Sequence, residues 1–197
     1  MYNGNEKNHI GYLKIGQINL ARSRVATEEL SRFTVESGLN VVLVQEPYTH
    51  KGRVTGLGTG TRIAQAALGT PWAAIAVYRE DCTVVQLENV TTNYLAAVHV
   101  AMGSLRINLV STYYRAYRTN KRAMRRALRE TTRTLNQLNN DGVIIGADTN
   151  AKSALWHSGN TDERGRKLEQ FIAQKGLTVV NEQQDYCTFQ GPAGKVT

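Results

Sequence analysis

Residues 143–150 read Val-Ile-Ile-Gly-Ala-Asp-Thr-Asn, an apolar run that ends in polar residues. The β-branched run before Gly146 is typical of a buried strand. In open α/β folds such a strand delivers its last residues to the edge of the sheet where the chemistry takes place. In extended backbone Asp148 and Asn150 face the same way. The stretch therefore predicts a carboxylate and an amide at one sheet edge, with a turn or a helix cap as the alternative.

Three other apolar runs also end on polar side chains. A carboxylate directly after a fully apolar run is costly to bury unless something pairs with it. Glu46 is such a residue, and Pro47 after it is expected to hold its backbone in extended geometry. Convergence of such strand ends can assemble a metal-assisted phosphate site from distant parts of a chain. The runs are 13–18, 41–44 and 107–112, and they end on Asn19, Glu46 and Tyr113, with Tyr114 as the alternative to Tyr113.

The basic charge is concentrated in one segment. The chain has a net charge of +8, and residues 115–133 hold eight basic residues against the single acid Glu130. Helical periodicity places Met124, Leu128, Thr131, Leu135 and Leu138 on one side of a helix predicted over 119–138. Arginine forks match phosphate oxygens, so the opposite side predicts a nucleic-acid contact; an acidic protein or a calmodulin-like partner is the alternative. The predicted contacts are Arg115, Arg118, Arg122, Arg125, Arg126, Arg129 and Arg133.

Length and composition indicate one domain with a substantial core. A chain of 197 residues suffices for this, and it has no apolar run long enough to span a membrane. Residues 1–11 lack an apolar signal core and are expected to form a flexible lead to a domain over 12–197. Without a secretory signal, Cys82 and Cys187 are expected to be reduced thiols in an intracellular reducing compartment.

Strand and helix signals alternate along the chain. A helix is predicted over 27–37, with Thr27 as N-cap and Gly38 as its stop, and another over 163–175, between Asp162 and Gly176. Residues 51–62, rich in glycine, are expected to form a mobile surface loop. The alternation fits an α/β fold with sheets packed face to face and helices outside. Strands are expected near 12–19, 41–45, 143–147 and 177–180, and a largely antiparallel block near 72–78, 83–88, 94–100 and 105–112.

The polar strand ends lie in recognisable motifs. Their order resembles that of the endonuclease/exonuclease/phosphatase superfamily, and the resemblance covers about residues 12–197. Within that superfamily the chain most resembles the apurinic-like endonuclease domain of insect non-LTR (LINE-type) retrotransposons, especially site-specific elements that insert into ribosomal DNA or telomeric repeats. The motifs are Gly-Gln-Ile-Asn at 16–19, Val-Gln-Glu-Pro at 44–47, Val-Ser-Thr-Tyr at 110–113 and Gly-Ala-Asp-Thr-Asn at 146–150, which continues as Ala-Lys-Ser-Ala-Leu-Trp-His-Ser.

The resemblance implies a fold and an activity. The fold is a DNase I-like four-layer α/β sandwich, in which two mixed sheets pack face to face with helices outside. The activity is hydrolysis of a phosphodiester in double-stranded DNA with Mg²⁺, or Mn²⁺, giving a 3′-hydroxyl that primes reverse transcription in the nucleus. A reverse transcriptase domain in the same parent polyprotein is implied. Another phosphoesterase of this fold (an abasic-site repair nuclease, an inositol or a lipid phosphatase) and a DNA-binding module without catalysis are the alternatives.

Residue roles also follow from the resemblance. Glu46 is expected to be the principal metal ligand, with Asn19 beside it as a minor ligand. Asp148 is expected to orient and deprotonate the attacking water, and Asn150 to hold the phosphate or position Asp148. Tyr113 is expected to contact the phosphate or the leaving oxygen. Packing is the expected role for Trp156 and His157, with a DNA contact as the alternative.

The chain departs from the family at its C-terminal end. Family members continue into a Ser-x-Ile-Asp strand and a Ser-Asp-His segment, whose Asp and His complete the active site. The resemblance therefore implies a C-terminally truncated domain, incomplete after Thr197. The histidines His9, His50, His99 and His157 do not match the catalytic one.

Overall fold

The computed structural model describes residues 12–116 and 121–182. Contacts between Cα atoms divide the chain into two compact units, of which the first comprises the chain up to Tyr114 together with 125–148, and the second 115–124 together with 149–197. The elements are β1 (Ile15–Asn19), α1 (Arg24–Ser37), β2 (Val41–Gln45), β3 (Thr49–His50), β4 (Arg53–Val54), β5 (Arg62–Ala64), β6 (Ala73–Val77), β7 (Thr83–Gln86), β8 (Leu95–Met102), β9 (Leu105–Tyr113), α2 (Lys121–Leu135), β10 (Gly142–Asp148), a 3₁₀ turn (Ala154–Trp156) and α3 (Glu163–Gln174).

Both four-stranded sheets of the first unit are mixed. Strand order is β1-β2-β6-β5 in the first sheet and β10-β9-β8-β7 in the second. The pairs β1–β2 and β9–β10 are parallel, and the other pairs are antiparallel. Parallel pairing brings the carboxyl ends of neighbouring strands to one edge, where Asn19 pairs with Gln45 and Asp148 with Tyr113. The expected α/β class with mixed sheets is confirmed.

The two sheets pack face to face through alternating side chains. Leu43 and Ile75 of the first sheet share a buried cluster with Val98 and Leu109 of the second. Residues of opposite parity face outward, as Val42 and Val44 do in a cluster with Leu30 of α1. On the outer face of the second sheet, Leu95, Ala97 and Val110 pack with Leu138, which follows α2. Each sheet therefore has apolar side chains on both faces, which explains its continuous apolar runs.

Gly146 allows the closest approach of the sheets. A Cβ atom at this position would lie 2.7 Å from Cδ1 and 2.9 Å from Cβ of Leu43, and 3.0 Å from Cγ of Gln17. These separations are shorter than van der Waals contact, so any side chain here would push β10 away from β1 and β2. Gly146, two residues before Asp148, thus has a packing role.

Helix α1 begins earlier than predicted. Its N-cap is Ser23, whose side chain accepts a hydrogen bond from the backbone N–H of Ala26. Thr27, the predicted cap, is fully buried in the first turns and donates its hydroxyl to the carbonyl of Ser23, so that prediction is wrong. Both residues are good caps, and Ser23 takes this position because the chain reaches the helix directly after a turn at Ala21 and Arg22. The stop at Gly38 is confirmed by its φ of 65°.

In the second unit, helix α3 starts and ends where the sequence predicts. Asp162 caps it by accepting from the N–H of Gly165 at 2.6 Å, and Gly176 follows it with a φ of 62°. The strand predicted over 177–180 is wrong. No strand in the described part of the chain pairs with this segment, so among those residues an extended backbone here has no hydrogen-bonding partner, and Val180 is 83% exposed.

The expected loop over 51–62 is partly wrong. Strands β3 and β4 form a hairpin across residues 51 and 52, and β5 begins at Arg62. Lys51 and Gly52 both have positive φ values, 48° and 75°, as a two-residue type I′ hairpin turn requires. Leu57, in the middle of the segment, is buried in a core cluster, so this part of the segment packs on the domain.

Some predictions lie outside the described residues: the lead 1–11, the contact Arg118, the thiol Cys187, and the segment up to Thr197. Cys82 is a free, buried thiol. No helix within 12–116 or 121–182 is both long enough and apolar enough to cross a membrane.

Candidate active site

Three predicted residues meet at the carboxyl edge of the two sheets. The side-chain nitrogen Nδ2 of Asn19 donates to Oε1 of Glu46 at 3.0 Å and to Oδ2 of Asp148 at 2.6 Å. The first carboxylate follows β2 of one sheet and the second ends β10 of the other. One amide group therefore bridges two carboxylates that are far apart in sequence, and we call this arrangement the edge bridge.

The orientation of the Asn19 side-chain amide is fixed by the backbone two residues further on. Its oxygen Oδ1 accepts a hydrogen bond from the N–H of Ala21 at 2.8 Å. Rotating the amide would place its NH₂ group against that N–H, donor against donor. The nitrogen therefore faces the carboxylates, where its two hydrogens serve one acid each. Ligation of a metal by the Asn19 oxygen stays a prediction.

The backbone of Glu46 differs from the expectation. Its φ is 46°, in the left-handed region, so the prediction that Pro47 holds it extended is wrong. The reason is that hydrogen bonds hold it on both sides: its N–H donates to the carbonyl of Trp72, and its carbonyl accepts from the N–H of Arg22, each at 2.8 Å. Such a conformation costs about 1–3 kcal/mol and persists only where the surroundings enforce it.

An aromatic stack beside Glu46 was not found from the sequence. The ring of Trp72 lies parallel to that of Tyr113, with centroids 5.3 Å apart and planes 7° apart, and Tyr94 stacks at 6.1 Å. The guanidinium carbon of Arg22 lies 3.6 Å from the centroid of Trp72. Nε and Nη2 of Arg22 are buried without a hydrogen-bond partner among the described residues, so the cation–π contact is the interaction they have there.

Tyr114 belongs to the interior. It is 2% exposed, its hydroxyl lies 2.8 Å from Oγ1 of Thr131, and burial raises the pKa of Tyr114 to about 12. Tyr113 is also buried, at 7% exposed, but it pairs with Asp148 in the β9–β10 register and stacks on Trp72. The geometry favours Tyr113 over Tyr114 at the edge. Its contact with a phosphate stays a prediction.

A second polar bridge lies one residue behind the edge bridge. Gln45 is fully buried; its Nε2 donates to Oγ of Ser111 at 2.9 Å and to the carbonyl of Gly146 at 3.2 Å. Its Oε1 accepts from Nε2 of Gln17 at 2.6 Å, and Ser111 donates to the carbonyl of Val44. We call this the interior bridge. The sequence signal for this bridge was a polar residue inside or directly after an apolar run: Gln17 in 13–18, Gln45 after 41–44 and Ser111 in 107–112.

Asn150, Trp156 and His157 belong to the second unit. The strand ends at Asp148 and Asn150 has a φ of 47°, so the same-side argument for Asp148 and Asn150 does not reach Asn150. The indole N–H of Trp156 donates to the carbonyl of Ala151 at 3.1 Å, consistent with packing. His157 is exposed, with Nε2 3.1 Å from the carbonyl oxygen of Asn181.

Helix α2 exposes its arginines as the periodicity predicts. Met124 and Thr131 are buried. Arg126 forms an ion pair with Glu130 at 2.8 Å, and Arg133 donates to the carbonyl of Asn89 at 3.0 Å. Arg115 lies before the helix and is half-buried. The exposed arginines of α2 are Arg122, Arg125, Arg126, Arg129 and Arg133.

The edge bridge fits the ligand chemistry of a hard divalent cation. Across residues 12–116 and 121–182, no three His, Cys, Asp or Glu side chains group as a ligand cluster. Mg²⁺ is commonly held by only one or two carboxylates, with water and substrate oxygens completing its shell. Glu46 and Asp148 supply that donor type at an open edge. The edge is therefore suited to a metal shared with a phosphate substrate.

Comparison with known proteins agrees with this geometry. Residues 107–197 match the endonuclease-reverse transcriptase family, Exo_endo_phos_2. The chain is 29% identical over 155 residues to the Pol polyprotein of the type-1 retrotransposable element R1 of Bradysia coprophila, covering 73% of the chain and 15% of that protein. It is 28% identical over 181 residues to a putative 115 kDa protein of element R1DM of Drosophila melanogaster, covering 88% and 17%. The chain thus spans less than a fifth of these relatives.

Solved structures give the same result. The endonuclease domain of TRAS1, a telomere-specific non-LTR retrotransposon, is 30% identical, with a TM-score of 0.76 over 87% of this chain and 74% of that one. A humanized TDP2 of D. rerio matches at 15% identity and a TM-score of 0.59 over 89% and 74%, a likeness of fold alone. The chain belongs to the endonuclease/exonuclease/phosphatase superfamily, within the endonuclease domains of non-LTR retrotransposons, a family of hydrolases that act on DNA.

Proposed function

We propose that this domain nicks one strand of target-site DNA by Mg²⁺-dependent hydrolysis and leaves a 3′-hydroxyl that primes reverse transcription of its element. The edge bridge carries the proposal, because it joins Glu46 and Asp148 through Asn19 at the open end of both sheets. Two carboxylates held at a fixed separation can divide the work between metal binding and proton transfer.

Each residue at the edge has a distinct task in this proposal. Glu46 would hold the metal, with Asn19 beside it. A bound Mg²⁺ would polarise the phosphoryl oxygen and offset its charge. Asp148 orients the attacking water and accepts its proton. Tyr113 contacts the phosphate or the leaving oxygen. For Asn150, which belongs to the second unit, the resemblance alone supports the proposed role of holding the phosphate or positioning Asp148.

Substrate binding is assigned to the arginine face of α2. Exposed guanidinium groups with few acids among them suit a polyanion, and Arg125 and Arg129 are exposed. Arg115 and Arg118 extend this assignment before the helix, and Trp156 and His157 are candidates for a further contact. The names of the first relative and of the matching family favour a parent Pol polyprotein with a reverse transcriptase domain. Action in the nucleus is part of the proposal, because the target DNA is there.

Nicking of supercoiled plasmid tests the proposal. The chain, and a version extended by the Ser-x-Ile-Asp and Ser-Asp-His segments that the resemblance implies, are each incubated with plasmid and Mg²⁺, Mn²⁺ or EDTA, and open-circular product is measured. We expect metal-dependent nicking by the extended version, and we expect Glu46→Ala and Asp148→Ala in that version to abolish it. Glu80→Ala is the matched control, because Glu80 is an exposed acid after β6, whose antiparallel course ends it at the opposite sheet edge. Extension of the nick by a DNA polymerase identifies a 3′-hydroxyl.

Two results contradict the proposal. Equal nicking by the Glu46→Ala and Glu80→Ala variants would exclude the edge as the site of hydrolysis. Plasmid binding without nicking in either metal would favour a DNA-binding module instead. Titration with Mn²⁺, followed by electron paramagnetic resonance, tests metal binding separately, since Glu46→Ala is expected to weaken binding whether or not the protein nicks.

A further inference from the structure

The β3–β4 hairpin begins close to the catalytic edge. Thr49, its first residue, lies three positions after Glu46. At its tip His50, Lys51 and Arg53 are exposed. From residue 47 to residue 79 the sequence contains no Asp or Glu. A basic element without acids therefore extends from the strand end that carries the proposed metal ligand.

The hairpin is held in one conformation. Its turn has positive φ at Lys51 and Gly52, and the type I′ geometry matches the twist of the paired strands. Val54 is buried, and its N–H donates to Oε1 of Gln65 at 2.8 Å. A Cβ atom at Gly52 would lie 3.1 Å from the carbonyl oxygen of Gly69, so the turn packs directly on the following loop. The basic side chains thus project from a fixed base.

One acid lies near the hairpin and is already paired. Glu28 of α1 lines a shallow depression together with His50 and Tyr48. Its carboxylate accepts from Nε of Arg24 at 2.7 Å, and this pairing raises the pKa of Arg24. The Arg24–Glu28 pair is neutral as a whole, so Lys51 and Arg53 give this part of the surface a positive charge at neutral pH.

We propose that the hairpin tip binds backbone phosphates of the DNA beside the scissile phosphate, through Lys51 and Arg53. The inference rests on the proposed function and adds a contact separate from α2. The five residue-to-residue steps from Glu46 to Lys51 span at most about 18 Å. Successive phosphates of a strand advance about 3.4 Å along the helix axis, so the tip reaches phosphates within about five nucleotides of the cut. Such contacts position the duplex without reading its sequence.

The test measures equilibrium binding of a fluorescently labelled DNA duplex by anisotropy over a series of salt concentrations. EDTA is present throughout, so no cleavage occurs. The variant is Lys51→Asn with Arg53→Gln, which removes both charges and leaves Asn-Gly, a preferred type I′ pair, in the turn. We expect affinity to fall about tenfold and the slope of log K against log salt to become shallower by about 2.

Arg106→Gln is the matched control. Arg106 is an exposed arginine near the start of β9, at the other end of the strand from Tyr113. The Arg106→Gln substitution removes one charge from the opposite edge of the second sheet. We expect its DNA affinity and its slope of log K against log salt to stay within error of those of the unchanged protein. Circular dichroism before binding checks that each variant is folded.

The outcomes separate this inference from the proposed function. An unchanged slope in the hairpin variant, or an equal loss in Arg106→Gln, would overturn the hairpin contact even if the protein nicks DNA. Failure of the unchanged protein to bind the duplex would overturn that contact as well. Binding without nicking in Mg²⁺ would refute the proposed function, and the slopes would still decide the role of Lys51 and Arg53.

Discussion

Gln45 and Glu46 are neighbours in sequence, yet they form bridges of opposite character. Gln45, at the centre of the interior bridge, is fully buried, and both ends of its amide are hydrogen-bonded. The edge bridge at Glu46 is open to solvent, and its carboxylate shares one amide group with Asp148. Both bridges join the same two sheets.

The difference teaches how the fold separates stability from reactivity. Satisfied polar groups in the interior fix how the sheets lie against each other, because any shift would leave a buried donor or acceptor unpaired. One residue further on, two like charges share the Asn19 amide, and hydrogen bonds with Trp72 and Arg22 hold the left-handed backbone of Glu46. Substitutions at the two positions should therefore affect different properties.

The largest expected effect is on activity at the edge. We expect Glu46→Gln, which keeps the shape and removes the charge, to lower the nicking rate about 10³-fold, because the proposed metal loses its principal ligand. The unfolding temperature should change little. Plasmid nicking and thermal unfolding check this prediction. A large loss of stability with normal nicking would break the distinction between the bridges.

The next largest effect is on stability in the interior. Gln45→Leu should lower the free energy of unfolding by about 3 kcal/mol, because the buried Ser111 hydroxyl and the buried carbonyl of Gly146 lose a partner. Urea unfolding measures it. Gln174→Leu, on an exposed part of α3, is the control and should change stability by less than about 0.5 kcal/mol. Equal effects at both positions would show that the interior bridge is not stabilising.

Tyr113 and Tyr114 extend the comparison to the second sheet. Burial raises the pKa of Tyr114 from 10.0 to about 12, so the folded state holds this proton more tightly than the unfolded chain does. The stabilisation is fully present below pH 10 and is lost as the pH rises through 12. We expect a loss of about 1.4 kcal/mol per pH unit in that window. Urea unfolding at several pH values should show the extra slope, and Tyr114→Phe should remove it.

The smallest expected effect is the coupling between Trp72 and Tyr113. If the stack orients the Tyr113 hydroxyl, Trp72→Leu as a single substitution should slow nicking about tenfold. In a Tyr113→Phe background the same change should slow nicking less than about threefold, because no hydroxyl remains to be oriented. The double-mutant cycle in nicking rates measures this. Additive effects would assign Trp72 to stability alone.

Local signals were enough for most of the fold. The buried run at 41–45 is a strand because continuous apolar sequence suits a sheet covered on both faces. The run at 143–147 is also a strand, but it lies at the edge of its sheet and Ile144 is exposed, so the expectation that it is buried is wrong. Gly38 and Asp162 end or start helices through local chemistry. Ser23 and Thr27 are equally good N-cap residues by sequence, so the turn before the helix decides that Ser23 is the N-cap. The prediction of a strand over 177–180 was wrong because hydrogen bonding to a neighbouring strand cannot be read from the local sequence.

The candidate site was predictable only as far as motifs reach. The resemblance named Asn19, Glu46 and Asp148, and the structure brings them together. It did not indicate Gln45 or Trp72, because their roles depend on contacts between strands far apart in sequence. The left-handed backbone of Glu46 was missed for the same reason, since hydrogen bonds from two other segments override the preference that Pro47 imposes.

The Asn19 amide also offers a way to observe the site. Its two N–H protons are chemically distinct, and each points to a different acid. In a nuclear magnetic resonance spectrum they form two cross-peaks at one nitrogen frequency. A cation bound at Glu46 should displace one cross-peak, and proton uptake at Asp148 should displace the other. A single side chain can therefore report the metal and the proton separately during a titration.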